Sequence, residues 1–209
     1  MTERKISMAV IRRLPRYYRY LGELLDNGVT KVSSSKLSVS MNVTASQIRQ
    51  DLNNFGGFGQ QGYGYNVEHL YTEIGKILGL NRVYKMVLIG AGNLGQALAN
   101  YQTFNKRGFE LISIFDLNPK VVGLFINGIE VLDIDKLYDF LQTNPIDIAI
   151  LTMPQIGVEQ MASNLVKWGV KGIWNFSPVD LTSSSNVVIE NVNLSYSLMT
   201  LAYQIHQHK

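Results

Sequence analysis

Apolar positions in the N-terminal part of the chain recur at helical spacing and are interrupted by polar turns. One predicted helix begins near Pro15, a residue suited to a first helical turn, and ends before Gly28. A shorter helix over residues 36–41 follows, and a third begins with Thr44 or Ser46 as its cap. The apolar face of the third helix consists of Ile48, Leu52 and Phe55. A short helix followed by one with a polar outer face is typical of a helix-turn-helix.

The segment after these helices alternates glycines with aromatic residues. It contains Gly56, Gly57, Phe58, Gly59, Gly62, Tyr63, Gly64 and Tyr65. This pattern predicts a β-hairpin, and the apolar stripe of residues 66–78 predicts a further helix. We therefore predict a winged-helix DNA-binding domain over residues 1–79, whose third helix reaches a major groove with Gln, Arg and Asn side chains.

The rest of the chain alternates short apolar strands with amphipathic helices. Strands are predicted in YKMVLIG (84–90), FELISIFD (109–116), IDIAILTMP (146–154) and KGIWNFSP (171–178). Helices are predicted in NLGQALANYQTFNKRG (93–108) and VEQMASNLVKWGV (158–170), and a hairpin-like pair with a helix in residues 124–145. The alternation predicts an α/β fold with a Rossmann-like dinucleotide-binding domain over residues 80–190.

A glycine loop follows the first of these strands. Gly90, Gly92 and Gly95 have G-x-G-x-x-G spacing between a strand and a helix, and this context favours a pyrophosphate site at the helix N-terminus. The loop also contains Ala91, Asn93 and Leu94. Asp116 ends the next strand, 21 residues after Gly95, where a carboxylate binds ribose hydroxyls and repels a 2′-phosphate. The sequence therefore predicts NAD(H) in preference to NADP(H).

Two later strand ends complete the predicted cofactor site. The residues at these ends are Thr152, Met153, Pro154, Asn175 and Phe176. Because the carboxyl ends of parallel strands meet at one edge of a Rossmann sheet, we expect these residues near the nicotinamide. For Met153 and Phe176, ordinary strand-end packing is the favoured interpretation when the residues are considered alone.

The last segment, residues 191–209, predicts an amphipathic helix. Its apolar residues are Leu194, Leu198, Leu201, Ala202 and Ile205. No element follows on which it could pack, so burial against a partner subunit is one interpretation, and packing on its own domain is the other.

Composition narrows the classes of function. The chain has no cysteine, which excludes disulfides and thiolate metal sites and agrees with a cytoplasmic protein. We see no signal peptide and no apolar run long enough to cross a membrane. Residues 1–80 carry ten Lys or Arg against six Asp or Glu, whereas the remainder is nearly neutral. A basic N-terminal half indicates either an anionic partner such as nucleic acid or a solvated basic surface.

The predicted nucleotide domain has few residues suited to catalysis. The three histidines, His69, His206 and His208, do not follow any of its strands, and no Tyr precedes a Lys by four positions. We predict no metal site and no enzyme activity. Two alternatives remain, an NAD-dependent oxidoreductase and a nucleotide-binding subunit like those of succinyl-CoA synthetase. The second needs a phosphorylated histidine, and residues 81–205 contain none.

Several segments resemble the Rex family of bacterial redox-sensing transcriptional repressors. They are RRLPRYYRYL (12–21), VSSSKLS (32–38), SQIRQDL (46–52), FGGFGQQGYGYNV (55–67), GAGNLGQAL (90–98), FDLNP (115–119), VKGIWNFSPVDL (170–181) and IENVNLSYSL (189–198). The resemblance implies a homodimer that exchanges its C-terminal helix between subunits. It also implies binding to palindromic double-stranded operators, and release of the DNA when NADH, in competition with NAD⁺, closes the dimer.

The resemblance carries DNA-binding roles to particular residues. Arg49 would contact a base or a phosphate, Ser46, Gln47 and Gln50 would lie in the groove, and Arg13 and Arg16 would contact phosphates or another domain. The wing would contribute Gln60 and Gln61.

This chain departs from the family pattern at a few of these positions. Many relatives carry basic residues where Gln60 and Gln61 stand, and a Lys where Gln50 stands, so we expect fewer phosphate contacts. Asn193 stands where relatives often have an acid. Our hypothesis is that this change alters how NADH is coupled to DNA release.

Overall fold

The structure is a computed structural model that describes residues 6–60, 64–182 and 187–208. It divides the chain into two compact units, Met1–Arg82 and Val83–Lys209. The division falls three residues after the end of the predicted winged-helix domain, and the second unit includes the C-terminal helix.

The first unit packs helices against a small antiparallel sheet with strand order β1-β3-β2. Its elements are α1 (Met8–Ile11), α2 (Leu14–Asp26), β1 (Lys31–Val32), α3 (Ser34–Met41), α4 (Ala45–Asn53), β2 (Gly59–Gln60), β3 (Gly64–Asn66) and α5 (Val67–Ile77). The predicted helix-turn-helix and hairpin are confirmed, with α4 as the third predicted helix. The two-residue strand β1 was not predicted, because such a short segment has no measurable periodicity.

Local capping explains where α3 and α4 meet. Asn42 ends α3 in the left-handed conformation with φ 52°, which Asn tolerates better than most residues. Thr44, rather than Ser46, caps α4 by accepting the N–H of Gln47. Ile48 and Leu52 then point inward to the core of the unit, and both are at most 2% exposed.

The second unit is a seven-stranded sheet of order β10-β9-β8-β4-β5-β7-β6, parallel except for the β6 edge. Its elements are β4 (Tyr84–Ile89), α6 (Asn93–Ala99), α7 (Thr103–Lys106), β5 (Phe109–Asp116), β6 (Phe125–Ile126), β7 (Ile129–Asp133), a 3₁₀ turn (Ile134–Lys136), α8 (Leu137–Thr143), β8 (Ile148–Leu151), α9 (Val158–Lys167), β9 (Gly172–Asn175), β10 (Val188–Asn191) and α10 (Leu194–Gln207). The Rossmann-like prediction is confirmed, and strand order reverses at β4, where such sheets open a crevice for ligands.

Two sequence-based predictions differ from this fold. The helix predicted over residues 93–108 is broken into α6 and α7, because Asn100 ends α6 and its side-chain amide donates to the carbonyl of Gln96. The edge strand β10 was missed, because its four residues, Val-Ile-Glu-Asn, do not alternate between apolar and polar types, and only its pairing with β9 identifies it as a strand.

The C-terminal helix α10 has no buried residue. Its exposed large apolar side chains are Leu194, Tyr196, Leu198, Met199, Leu201, Tyr203 and Ile205. An apolar surface of this extent is typical of a segment that packs on another molecule. Among the described residues, none of the helices is long and apolar enough to span a bilayer.

Candidate dinucleotide site and DNA-reading surface

The glycine loop lies at the carboxyl end of β4, at the reversal of strand order. Gly90 has φ 103°, and a Cβ there would lie 2.8 Å from the carbonyl oxygen of Thr152. A Cβ on Gly95 would overlap the carbonyl oxygen of Gly90. These two glycines are therefore required by close backbone packing.

Gly92 differs from the other two glycines of the motif. It is exposed and precedes α6 as its N-cap, and a Cβ there would meet no atom within 4 Å. Asn93 is also exposed, and Leu94 is half-buried. The side of the loop at Gly92 is thus open, next to helical N–H groups that have no intrahelical partner.

Asp116 contacts the glycine loop directly. One carboxylate oxygen accepts the N–H of Ala91, and the other accepts the N–H of Asn118 at 2.7 Å. The end of β5 thereby holds the loop at the end of β4. Each oxygen keeps a further lone pair, so the carboxylate also remains able to accept from a ribose hydroxyl.

Thr152 supports the same loop from the end of β8. Its hydroxyl donates to the carbonyl oxygen of Gly90 at 2.6 Å and lies 3.2 Å from that of Ile89. The side chain therefore positions the loop, whereas the sequence pattern predicted only that Thr152 lies at a strand end near the nicotinamide.

Three of the predicted site residues follow the ends of β8 and β9, and Met153 and Phe176 pack against different core clusters of the unit. Met153 is half-buried and packs against the core, Pro154 is exposed, and Phe176 is half-buried. The ring of Phe176 packs edge-on against Trp174, with 4.7 Å between centroids. We call Met153, Pro154 and Phe176 the apolar border, and their place beside a nicotinamide stays a prediction.

Asn175 does not face solvent, because it is only 1% exposed. Its amide nitrogen donates to the carbonyl of Val179 at 2.7 Å and to the side chain of Asn191 at 2.8 Å. Its side-chain oxygen accepts the N–H of Ser177 at 3.0 Å. The amide is thus used within the protein, and Asn175 holds the loop that follows β9.

The outer face of α4 is polar and exposed. Ser46, Arg49 and Gln50 are exposed there and border a shallow depression together with Asn53 and Asn54. The guanidinium of Arg49 donates to the hydroxyl of Ser34 on α3 at 3.0 Å. The structure therefore brings together three of the predicted DNA-binding side chains on one helix face.

The other predicted DNA-binding side chains in the helices make internal contacts. The guanidinium of Arg13 donates two hydrogen bonds of 2.6 and 2.7 Å to Asp51, and the amide of Gln47 donates to the same carboxylate at 2.8 Å. Arg16 is exposed and donates to the carbonyl of Met41, at the end of α3, at 2.9 Å. Arg13 therefore fixes α4 to the start of α2. Arg16 instead fixes α2 to the end of α3, and the bond from Gln47 lies within α4.

Asp51 is the centre of this network and is fully buried. Tyr17 also donates to it, at 2.7 Å. Burial alone would raise the pKa of Asp51, but the hydrogen bonds from Arg13, Tyr17 and Gln47 outweigh burial and lower that pKa below its ordinary value. Burial and the bond to Asp51 raise the pKa of Tyr17. Sequence patterns missed Asp51 because its partners lie up to 38 residues away.

The wing is described in part. Gln60 ends β2, and its backbone pairs in register with Gly64 of β3. Gln61 lies outside the described residues. In the described ranges, no group of three or more His, Cys, Asp or Glu side chains could hold a metal ion.

Comparison with known proteins agrees with both halves of this description. Residues 81–179 match the sequence model of a family described as CoA binding domain, and residues 5–53 match one described as putative DNA-binding protein N-terminus. The redox-sensing transcriptional repressor Rex of Clostridioides difficile (strain 630) is 60% identical over 206 residues, which cover 99% of this chain and 98% of the relative. This chain belongs to the Rex family.

Solved structures show the same relationship. The chain is similar to that of RSP in complex with β-NAD⁺ and operator DNA, with a TM-score of 0.92 and 57% identity, covering 98% of this chain and 94% of that one. RSP in complex with β-NADH gives a TM-score of 0.89 at 55% identity, covering 97% and 95%. The Rex protein of Thermoanaerobacter pseudethanolicus is 58% identical over 98% of this chain and 92% of that relative. The resemblance predicted from short segments is thus confirmed over nearly the whole chain.

Proposed function

We propose that this Rex family member is a cytoplasmic transcriptional repressor that binds a palindromic operator and releases it when NADH occupies the glycine loop. The observation that carries the proposal is the open loop at Gly92, bordered by Asp116, in a chain 57% identical to RSP. RSP itself is found in complex with β-NAD⁺ and operator DNA.

The proposed dinucleotide contacts combine the glycine-loop motif with the neighbouring strand ends. The pyrophosphate lies against Gly90, Ala91, Gly92, Asn93, Leu94 and Gly95, and the adenosine ribose lies at Asp116. The nicotinamide lies at the border of Met153, Pro154 and Phe176, with Thr152 and Asn175 as supports. Burying the positive pyridinium of NAD⁺ against apolar groups costs free energy, so this border favours neutral NADH.

The proposed operator contacts are divided between exposed and internal groups. Ser46, Arg49 and Gln50 on α4 contact the major groove, and Gln60 and Gln61 of the wing contact the backbone or the adjacent groove. Arg13 supports α4 through Asp51, Arg16 supports α3 through Met41, and Gln47 bonds Asp51 within α4. The remaining donors of these three side chains contact phosphates.

A homodimer completes the proposal. A two-fold operator requires two reading helices, and the exposed apolar side chains of α10 supply a surface that a second subunit would cover. We place α10 in an exchange between the two subunits. Asn193 caps α10 by accepting the N–H of Ser195 at 3.0 Å, and an Asp would accept the same bond. The variant Asn193→Asp therefore isolates the effect of the charge on NADH response.

The experiment is a fluorescence titration of the protein with NADH and with NAD⁺, in the presence and absence of a palindromic duplex. We expect NADH to bind more tightly than NAD⁺, and the duplex to weaken NADH binding by the same factor by which NADH weakens duplex binding. Affinities for NADH and NAD⁺ within about twofold, less than roughly 0.5 kcal/mol, would contradict the apolar border. NADH binding that ignores every duplex would contradict the sensor function.

Coenzyme A and a small carbonyl substrate are the controls for other functions. Tight binding of coenzyme A that displaces NADH would favour a nucleotide-binding subunit of the succinyl-CoA synthetase type. Oxidation of NADH by the carbonyl would favour an oxidoreductase.

A further inference from the structure

The carboxyl ends of four neighbouring strands form one continuous row. Ile89 pairs in register with Leu151, Leu151 with Asn175, and Asn175 with Asn191. The row therefore begins beside the glycine loop and ends two residues before the cap of α10, Asn193. Parallel pairing makes the row stiff, because each strand end is held by main-chain hydrogen bonds to its neighbour.

The last two positions of the row are joined by side chains as well as by backbone. The amide nitrogen of Asn175 donates to the side-chain oxygen of Asn191 at 2.8 Å. The same oxygen accepts the N–H of Leu181 at 3.0 Å, and the amide nitrogen of Asn191 donates to the carbonyl of Leu181 at 2.9 Å. We call Asn175, Asn191 and Leu181 the amide clamp. Its paired bonds to Leu181 leave Asn191 one orientation of its side-chain amide.

The amide clamp connects two segments with different surroundings. On one side, Asn175 is followed directly by Phe176, which borders the candidate nicotinamide position. On the other side, the N–H of Val192 donates to the carbonyl of Asn175 at 2.8 Å, immediately before the cap of α10. The hydroxyl of Tyr196 in α10 adds a contact of 3.2 Å to Asp180, in the loop that the clamp holds.

This loop contains a polar group that its present conformation does not satisfy. Within the described part of the chain, the hydroxyl of Ser177 is the one buried side-chain N or O atom without a hydrogen-bond partner. An unmade buried hydrogen bond is unfavourable, so an arrangement of the loop that supplies a partner gains free energy relative to this one. A second arrangement of the loop is what coupling between two sites requires.

We propose that Asn191 is a positioning residue that couples the dinucleotide site to α10 through the amide clamp. Binding of the nicotinamide of NADH beside Phe176 shifts the loop after β9. Asn191 transfers this shift to the residues that begin α10. The proposal rests on the proposed function, since operator release is its readout. It predicts that Asn191 matters for the response to NADH more than for binding of either NADH or operator.

The test compares Asn191→Asp with Asn164→Asp. Aspartate at 191 keeps the acceptor for Asn175 but loses the donor to Leu181 and places a carboxylate oxygen against a carbonyl. Asn164, on α9, accepts from Gln160 at 3.0 Å, a bond that aspartate keeps, so this variant controls for the added charge. If Asn191→Asp does not fold, the neutral variant Asn191→Ser replaces it in the same comparison.

Two quantities are measured for each protein. The first is the ratio of operator dissociation constants with and without saturating NADH, and the second is NADH affinity alone. We expect Asn191→Asp to reduce the ratio at least about fivefold, the lower range of a coupling effect, with each separate affinity within about threefold of wild type. Hydrogen exchange of the α10 amides should respond to NADH in the wild type and in Asn164→Asp, and not in Asn191→Asp.

The outcomes separate the proposal from the function on which it rests. An unchanged ratio in Asn191→Asp, with a normal ratio in wild type, would overturn the role of the clamp and leave the sensor function standing. Loss of both affinities with an unchanged ratio would show a structural role only and would also overturn it. A wild-type protein whose operator binding ignores NADH would overturn the sensor function and this coupling together.

Discussion

The two units build their candidate contact surfaces from different parts of the chain. In the dinucleotide unit the surface is mainly backbone, placed by Gly90 and Gly95 and held by Asp116 and Thr152. In the DNA-reading unit it consists of side chains on α4, a helix held from behind by buried Asp51. A backbone site tolerates no added atom at its tightly packed glycines, Gly90 and Gly95, whereas a side-chain site depends on the contacts that orient its helix.

Gly95→Ala should produce the largest effect, a loss of NADH affinity without a loss of operator affinity. The new Cβ would overlap the carbonyl of Gly90, so the loop must move. We expect NADH affinity to fall at least about 1,000-fold, equal to about 4 kcal/mol, while operator affinity without NADH stays at the wild-type level. Isothermal titration calorimetry and operator binding measure the two effects.

The control for the effect of Gly95→Ala on loop packing is Gly92→Ala. It adds a Cβ that meets nothing within 4 Å, so it should leave the melting temperature unchanged. Normal NADH binding by Gly95→Ala would show that the loop is not held by backbone packing.

Asp51→Asn should have the next largest effect, a loss of stability and of operator affinity in the N-terminal unit. Removing the charge leaves Arg13, whose side chain is 27% exposed, without its ionic partner in a site where Asp51 is fully buried. We expect the free energy of unfolding of the N-terminal unit to fall by about 3 kcal/mol. Operator affinity should fall with it and NADH affinity should not, as measured by urea unfolding and titration.

The pH dependence tests the same network. The pKa of Asp51 is lower in the folded protein than its ordinary value, so its contribution is complete above a pH of about 4 and is lost as the pH falls through the folded pKa. The stability difference between wild type and Asp51→Asn should therefore shrink on acidification. A constant difference from pH 7 to pH 3 would contradict the assignment.

Ser177→Ala should change the free energy of unfolding by less than Asp51→Asn does, and in the opposite direction. It removes a buried hydroxyl that has no partner, so we expect the free energy of unfolding to rise by about 1 kcal/mol. Ser163 on α9 is exposed, and Ser163→Ala should change stability by less than about 0.5 kcal/mol. A destabilised Ser177→Ala protein would mean that the hydroxyl has a partner after all.

Gln50→Lys should have the smallest effect and should change only operator binding, not NADH binding. One added phosphate contact should steepen the dependence of log operator affinity on log salt by about 1 unit. Gln160→Lys adds the same charge on α9 of the dinucleotide unit and should leave the slope unchanged. Equal slopes for Gln50→Lys and wild type would show that position 50 does not contact the operator.

The predictable part of this molecule was local in the chain. Gly90, Gly95 and Asp116 were identified because strand, turn and helix signals stand next to one another, and the loop geometry follows from that order. The face of α4 was predicted because Ile48 and Leu52 share a side of a helix. The leucines and Ile205 on the exposed surface of α10 were also predicted from spacing, whereas Tyr196, Met199 and Tyr203 were not, and what covers this surface stays a prediction.

Other features depend on residues brought together from distant positions. Asp51 was not identified, although it organises Arg13, Tyr17 and Gln47, because a single acid in a helix carries no pattern. Asn175 was predicted at the site from its strand end, but only the neighbouring strand β10 shows that its amide is bonded to Asn191. The break between α6 and α7 was missed because residues 93–108 contain neither a proline nor a glycine near Asn100.

Short-range order along the chain thus specifies the elements, the glycine loop and the polar face of α4, since backbone conformation and helical periodicity are properties of neighbouring residues. Tertiary packing determines which polar groups have partners inside the protein and which remain available to bind a ligand. Buried donors and acceptors must find partners wherever the fold brings them, and in this protein those partners lie 16 residues apart in the amide clamp and 38 residues apart around Asp51.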